Sequence, residues 1–285
     1  MAQPTPDLLP IAPAAAEPIT RAQRIAFTIA LAGGSRVIQL RDRLFGRIPR
    51  RPARATGLTF SSVAIASGRN RLDAVFALPE CRSVRATVLI CHGIGEVVTQ
   101  WMPIQRLLAA RGVASLVFDY SGYGRSTGWP TPAQLEQDAI AAFACLSAEM
   151  PGPVSLLGFS LGSGLVPAIL DRVSAHRLVL CAGFTSFRSA ARCVGIPKVF
   201  SALVPPVWTS ELAAHASVPP VLVVHSTCDR LFPLAMGREL ASCFGPSATL
   251  RIVEGLHHNE PFYRPTPAYW NPIAEFVAAP NRLIS

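Results

Sequence analysis

Two rhythms of apolar residues run along this chain. Short continuous apolar runs at 58–66, 71–78, 86–91, 113–118, 154–159, 177–182, 220–225 and 248–253 predict strands, several of them buried on both faces. Longer stretches at 99–111, 132–149, 161–173, 233–243 and 268–278 predict helices. Two leading strands followed by alternating strand and helix predict an α/β fold: a mostly parallel central sheet with helices on both faces. The segment 184–217 breaks the alternation. It carries Phe184, Phe187, Ile196, Phe200, Leu203 and Trp208 among Pro197, Pro205 and Pro206, and reads as a short lid or cap with an apolar inner side. An ordinary connection with core aromatics is the alternative.

Charge divides the chain differently. Residues 1–57 hold nine arginines against Asp7, Glu17 and Asp42, so +6 of the net +9 lies there. The expected organisation is a basic N-terminal arm (1–57) and one catalytic domain (58–285). The domain has no basic stripe interleaved with aromatics, so nucleic acid is not an expected partner. Within the arm, 1–18 is rich in Pro and Ala. The run Ile25-Ala26-Phe27-Thr28-Ile29-Ala30-Leu31-Ala32 mimics the apolar core of an export signal but is too short to span a bilayer. From Val37 to Ile48, apolar residues mix with Arg41, Arg43 and Arg47 as in a basic amphipathic helix. Three readings follow: a helix packed on the domain, contact with a membrane surface, or export. Seven cysteines, an odd number, suit a reducing compartment. The expected location is cytoplasmic, peripheral to a membrane if the helix docks on one.

The chemistry concentrates at strand ends. Gly158-Phe159-Ser160-Leu161-Gly162 follows one apolar run and opens another, as a nucleophile elbow does, lifting a serine hydroxyl above the sheet edge. A serine needs a base to take its proton and a carboxylate to orient that base. Asp229 follows the run 220–225, and His258 follows the run 248–253. Ser160, Asp229 and His258 are therefore the candidate catalytic set, with Asp119 a rival acid and His257 a rival base. An oxyanion needs two backbone N–H groups. Leu161, just after the serine, is one candidate donor. Ile94, in the turn His92-Gly93-Ile94-Gly95 after the run 86–91, is the other. His92 reads as a loop-shaping residue. No Asp/Glu/His cluster has metal-ligand spacing, so neither a metal nor a cofactor is expected.

These stretches, with Asp119-Tyr120-Ser121-Gly122-Tyr123-Gly124-Arg125-Ser126, resemble the α/β-hydrolase fold superfamily, in its branch of serine-aminopeptidase-like and acyl-protein-thioesterase-like hydrolases. The resemblance covers about residues 58–280 and implies a serine hydrolase acting on carboxylic esters or thioesters of apolar acyl groups through an acyl-enzyme. A catalytically silent scaffold, an acyltransferase or a peptidase are the alternatives. His258 aligns with the family's catalytic histidine in Gly255-Leu256-His257-His258-Asn259. The chain departs from the pattern at His225-Ser226, where the family usually has His-Gly, and at Cys228. Glu96 lies just past the oxyanion turn, where a carboxylate would oppose an oxyanion unless it points away or binds a polar group.

Overall fold

The computed structural model describes residues 20–48, 54–55, 57–80, 84–193, 204–205, 207–210 and 218–280. Among them, nine strands form one sheet: β1 (Arg54–Ala55), β2 (Leu58–Ser67), β3 (Asn70–Pro79), β4 (Ala86–Cys91), β5 (Val113–Phe118), β6 (Val154–Phe159), β7 (Leu178–Cys181), β8 (Val221–Ser226) and β9 (Ala248–Val253). Their spatial order is β1-β2-β3-β5-β4-β6-β7-β8-β9. The pairs β1/β2, β2/β3 and β3/β5 are antiparallel, and every pair from β5/β4 onward is parallel. The chain leaves β4 toward β5 on one side and returns to β6 on the other. Sites form at the carboxyl ends of strands flanking such a reversal. Here β4 and β6 lie side by side, with Cys91 opposite Gly158.

Residues alternating along the inner strands feed two cores. Val88 and Ile90 face the helices α2 (Val98–Ala109) and α8 (Pro267–Ala278), packing with Trp101, Trp270 and Ile273. Leu89 and Cys91 face α3 (Pro132–Glu149), with Leu135 and Leu146 in the same core. Helices thus cover both faces, and β5, β6, β7 and β8 are buried throughout. Among the described residues, the other α-helices are α1 (Arg21–Leu44), α4 (Leu161–Leu165), α5 (Phe187–Cys193), α6 (Leu234–Cys243) and α7 (Glu260–Tyr263).

Two elements differ from the sequence reading. The helix expected over 161–173 stops at Leu165, and a 3₁₀ turn follows at Pro167–Ile169. Proline has no N–H to continue the α-helical ladder, so the apolar run bends there. In the N-terminal segment, the apolar run at 25–32 and the basic stretch beginning at Val37 are parts of one continuous helix, α1. Thr20 starts it: its hydroxyl accepts the Gln23 N–H, and the Gln23 side chain accepts the Thr20 N–H. The helix continues through Gly33 and Gly34, although glycine weakens a helix interior. Tertiary packing supports it there, because Leu31, Ala32, Ser35, Gln39 and Asp42 are buried against the domain. Among the described residues, no helix is long and apolar enough to cross a membrane. Of the expected lid, Ile196, Phe200 and Leu203 lie outside the described residues. Phe184 and Trp208 are buried and stand where a Cβ on Gly164 of α4 would be, so this part of the segment packs onto the elbow helix.

Candidate active site

Ser160 sits between β6 and α4 with φ 50° and ψ −111°. Positive φ is strained for any residue with a Cβ. Close packing holds it: a Cβ on Gly158 would strike the Gly162 carbonyl, and one on Gly162 would strike the Cys91 carbonyl. Strand and helix can approach only because both flanking positions are glycine. The Ser160 N–H donates to the Cys181 carbonyl at 3.0 Å, and Ser163 Oγ donates to the Ser160 carbonyl at 2.6 Å. Ala182, just past β7, also has positive φ (49°).

Loops after β8 and β9 bring Asp229 and His258 to this serine. His258 Nδ1 lies 2.8 Å from Asp229 Oδ2, and its Nε2 lies 2.9 Å from Ser160 Oγ. An ionised carboxylate only accepts, so Nδ1 carries the proton and Nε2 is free to accept from the serine hydroxyl. Asp229 Oδ1 accepts the N–H groups of Leu231 (2.9 Å) and Phe232 (2.8 Å). Burial alone would raise the Asp229 pKa. The hydrogen bond and charge of His258, with the Phe232 N–H and His225, outweigh it, so Asp229 titrates below its ordinary value. The rings of Phe232 and Phe159 flank His258 at 5.0 and 6.1 Å.

The rival residues have other partners. His257 is exposed, and its Nδ1 lies 3.3 Å from the Cys228 carbonyl. Asp119 accepts the Val98 N–H at 2.9 Å and the Arg125 N–H at 3.4 Å, tying the loop after β5 to the start of α2. His92 is fully buried between Tyr120 and Tyr123, donates Nδ1–H to the Gly93 carbonyl, and has its pKa lowered by burial to about 4. It shapes the loop as a neutral ring.

Ile94 lies in the turn after β4, and the buried Leu161 opens α4 directly after the neighbouring strand β6. Glu96 is turned into the protein: its Oε2 accepts the Gly93 N–H at 2.7 Å and the Trp101 Nε1–H at 2.9 Å. Burial pushes its pKa up to about 8 against those two hydrogen bonds, helped by the charge of Asp42. Burial thus favours the uncharged form of this carboxyl beside the turn that carries Ile94.

The departures from the family pattern have local reasons. Ser226 Oγ donates to the Leu256 carbonyl at 2.6 Å and accepts the N–H groups of Leu256 and Cys228, stitching the Asp229 loop to the His258 loop. His225 Nε2–H donates to the Phe232 carbonyl at 2.7 Å, holding the turn whose amides grip Asp229. The residue that sequence reasoning missed is Asp42. Its fully buried carboxylate accepts Gln100 Nε2–H (2.9 Å) and Tyr263 O–H (2.8 Å), and pairs with Arg41 at 2.9 Å. Gln100 in turn accepts the Val97 N–H, one residue past Glu96. Tyr263 lies in α7, directly after the His258 loop. One carboxylate on α1 therefore ties together both loops of the site. In sequence it is one acid among arginines, with no pattern to mark it as buried. Among the described residues, no group of three or more His, Cys, Asp or Glu side chains is placed to hold a metal ion.

Residues 82–213 match the family model of the S33 serine aminopeptidases, a group of hydrolases. The chain is 25% identical over 206 residues to the lysophosphatidylserine lipase ABHD12 of Danio rerio, covering 62% of this chain and 54% of that one. It is 26% identical over 168 residues to the mouse (Mus musculus) protein of the same name, covering 52% and 42%. It thus spans about half the length of the curated relatives it matches. A solved esterase of Pyrococcus furiosus superposes with a TM-score of 0.65 at 18% identity, over 80% of this chain and 95% of that one, a likeness of fold.

Proposed function

We propose that this chain is a hydrolase of the α/β-hydrolase superfamily and cleaves carboxylic esters or thioesters of apolar acyl groups through an acyl-enzyme. The observation that carries the reading is the unbroken chain of hydrogen bonds from Ser160 Oγ through His258 to Asp229. In the first half-reaction Ser160 Oγ bonds to the acyl carbon as its proton passes to His258 Nε2. Asp229 holds the imidazole in the required tautomer and stabilises its charged form. The N–H groups of Leu161 and Ile94 receive the oxyanion. Collapse breaks the bond to the leaving alcohol or thiol, which takes the proton from His258. A water then repeats the sequence on the acyl-enzyme, returning acid and free serine. Transfer to another acceptor, or cleavage of a peptide, would use the same residues.

Two features support the apolar-acyl substrate class. The rings of Phe159 and Phe232 pack beside the His258 imidazole, with Phe184 5.5 Å from Phe232, so the surroundings of the histidine are apolar. The ABHD12 relatives are named for a lipid ester. A silent scaffold is disfavoured, because a strained serine beside a buried, oriented histidine has no structural use that a glycine would not serve better.

Labelling with a fluorophosphonate probe tests the nucleophile. Ser160→Ala should lose the label and keep the fold, and undiminished labelling would reject Ser160. For the substrate class, p-nitrophenyl esters from acetyl to octanoyl should show kcat/KM rising over the first few carbons, by at most about 0.8 kcal/mol per methylene. A flat or falling profile would reject an acyl pocket.

A further inference from the structure

Packing α1 into the domain uses only one side of it. Leu31, Ala32, Ser35, Gln39 and Asp42 face inward, whereas Ile25, Ile29, Val37, Leu40, Leu44 and Phe45 are 51–76% exposed. At about 100° per residue, the first five of these lie in an outward arc of roughly 120°. A soluble helix ordinarily fills that arc with polar side chains. Here it is apolar, and arginines border it. Arg43 lies at one edge with Arg36 just inside it, and Arg41 lies beyond the other edge, all exposed. Arg36 stands over the ring of Trp129, 5.3 Å from its centroid, and Trp129 is itself 59% exposed.

We propose that α1 docks the protein on an anionic lipid bilayer, and that it does so at the edge of the candidate active site. The charge pattern selects the occupant. An apolar stripe flanked by arginines buries its apolar side chains below the headgroups while the guanidinium groups reach lipid phosphates and carboxylates. A tryptophan beside the stripe suits the same interfacial zone. A second copy of this face would instead bring like charges together. The placement links docking to the site: Ile38 of α1 fills the space beside Gly95, and Gly34 lies against Ile94, so the helix rests on the oxyanion turn. Asp42 fastens the same helix to Gln100 and Tyr263. A bilayer bound to the outer side of α1 would lie next to the strand ends that carry Ser160. Lipid-borne esters would then reach the site from the membrane rather than from water.

The test is co-sedimentation of the full chain with vesicles of phosphatidylcholine alone, or with about a third of the lipid replaced by phosphatidylserine. Binding should be at least about tenfold tighter to the anionic vesicles and weaken at high salt. Leu40→Glu with Leu44→Glu, and separately Arg36→Glu with Arg43→Glu, should each weaken it by about tenfold or more. Both double variants alter exposed positions and should keep wild-type hydrolysis of soluble p-nitrophenyl butyrate, which also reports that they fold. Equal binding to neutral vesicles, no binding by the full chain, or variants that bind like wild type would overturn the proposal. So would a dimer in analytical ultracentrifugation that the same substitutions break, since a second copy would then own the face. Vesicle binding by a protein with no activity on any ester would leave the docking intact and remove the hydrolase reading instead.

Discussion

Asp42→Ala is the substitution whose consequences reach furthest from its position in the sequence. The wild-type carboxylate is fully buried and accepts one hydrogen bond each from Gln100 Nε2 and Tyr263 O–H. Alanine leaves both donors without that partner; an unsatisfied buried donor costs about 1–3 kcal/mol, the full range for the buried Gln100 and the lower end for the half-buried Tyr263. The ion pair with Arg41 adds little, because the arginine side chain is 44% exposed and its charge is screened by water. The loss is then about 2–4 kcal/mol, which for a chain of this size lowers Tm by roughly 3–8 °C. Activity should also suffer. Gln100 holds the Val97 N–H beside the oxyanion turn, and Tyr263 anchors the helix after His258. A small displacement of either loop costs about 10–100-fold in kcat. Asp42→Asn should lose less, because its amide oxygen can still accept from Gln100 and Tyr263, while its NH₂ meets the guanidinium groups of Arg41 and Arg47, both half-exposed and able to turn to water. Thermal unfolding followed by circular dichroism, with p-nitrophenyl butyrate turnover at a temperature where all three proteins are folded, reads both effects. If Asp42→Ala melts within about 1 °C of wild type and turns over at the wild-type rate, α1 does not support the site in the way the hydrogen bonds imply.

Two further predictions concern the site itself. His258→Ala should lower kcat by about three or more orders of magnitude, since Ser160 loses its base, whereas His257→Ala should cost about tenfold or less; the reverse ranking would make His257 the base. Glu96→Gln keeps an oxygen that can accept from Gly93 and Trp101, so the fold should hold. Because the wild-type carboxyl has a folded pKa near 8 against 4.5 unfolded, the folded state holds the extra proton. Its contribution to stability is therefore present below about pH 4.5 and is lost as pH rises toward 8. Urea unfolding between pH 5 and 9 should show that decline in wild type and a flatter profile in the variant. Identical profiles would mean that Glu96 is not held protonated.

The elements legible in the sequence were those whose pattern is local. An apolar run ended by glycine or proline marks a buried strand wherever it lies, and eight strands follow their expected positions closely. Strand order in an α/β sheet places chemistry at carboxyl ends, so Ser160 and a short set of candidate partners could be named from position, and among them Ser160, Asp229 and His258 meet in space. Between adjacent histidines the family pattern pointed to His258, and loop geometry brings that ring, not His257, to the serine. Tertiary structure decided what depends on contacts distant in sequence. Nothing local distinguishes Asp42 from a solvated charge among arginines; it is buried because Gln100 and Tyr263, 58 and 221 positions away, supply donors for it. Helix α1 runs through Gly33 and Gly34 because its inner side is buried on the domain, an energy that helix propensity does not contain. The Glu96 carboxyl, a candidate opponent of the oxyanion, is turned inward by Gly93 and Trp101 and neutralised by burial. Hydrophobic rhythm is a property of neighbours along the chain, so it survives in the sequence. Burial of a charge, and the partners that make it tolerable, exist only once the chain has closed around it.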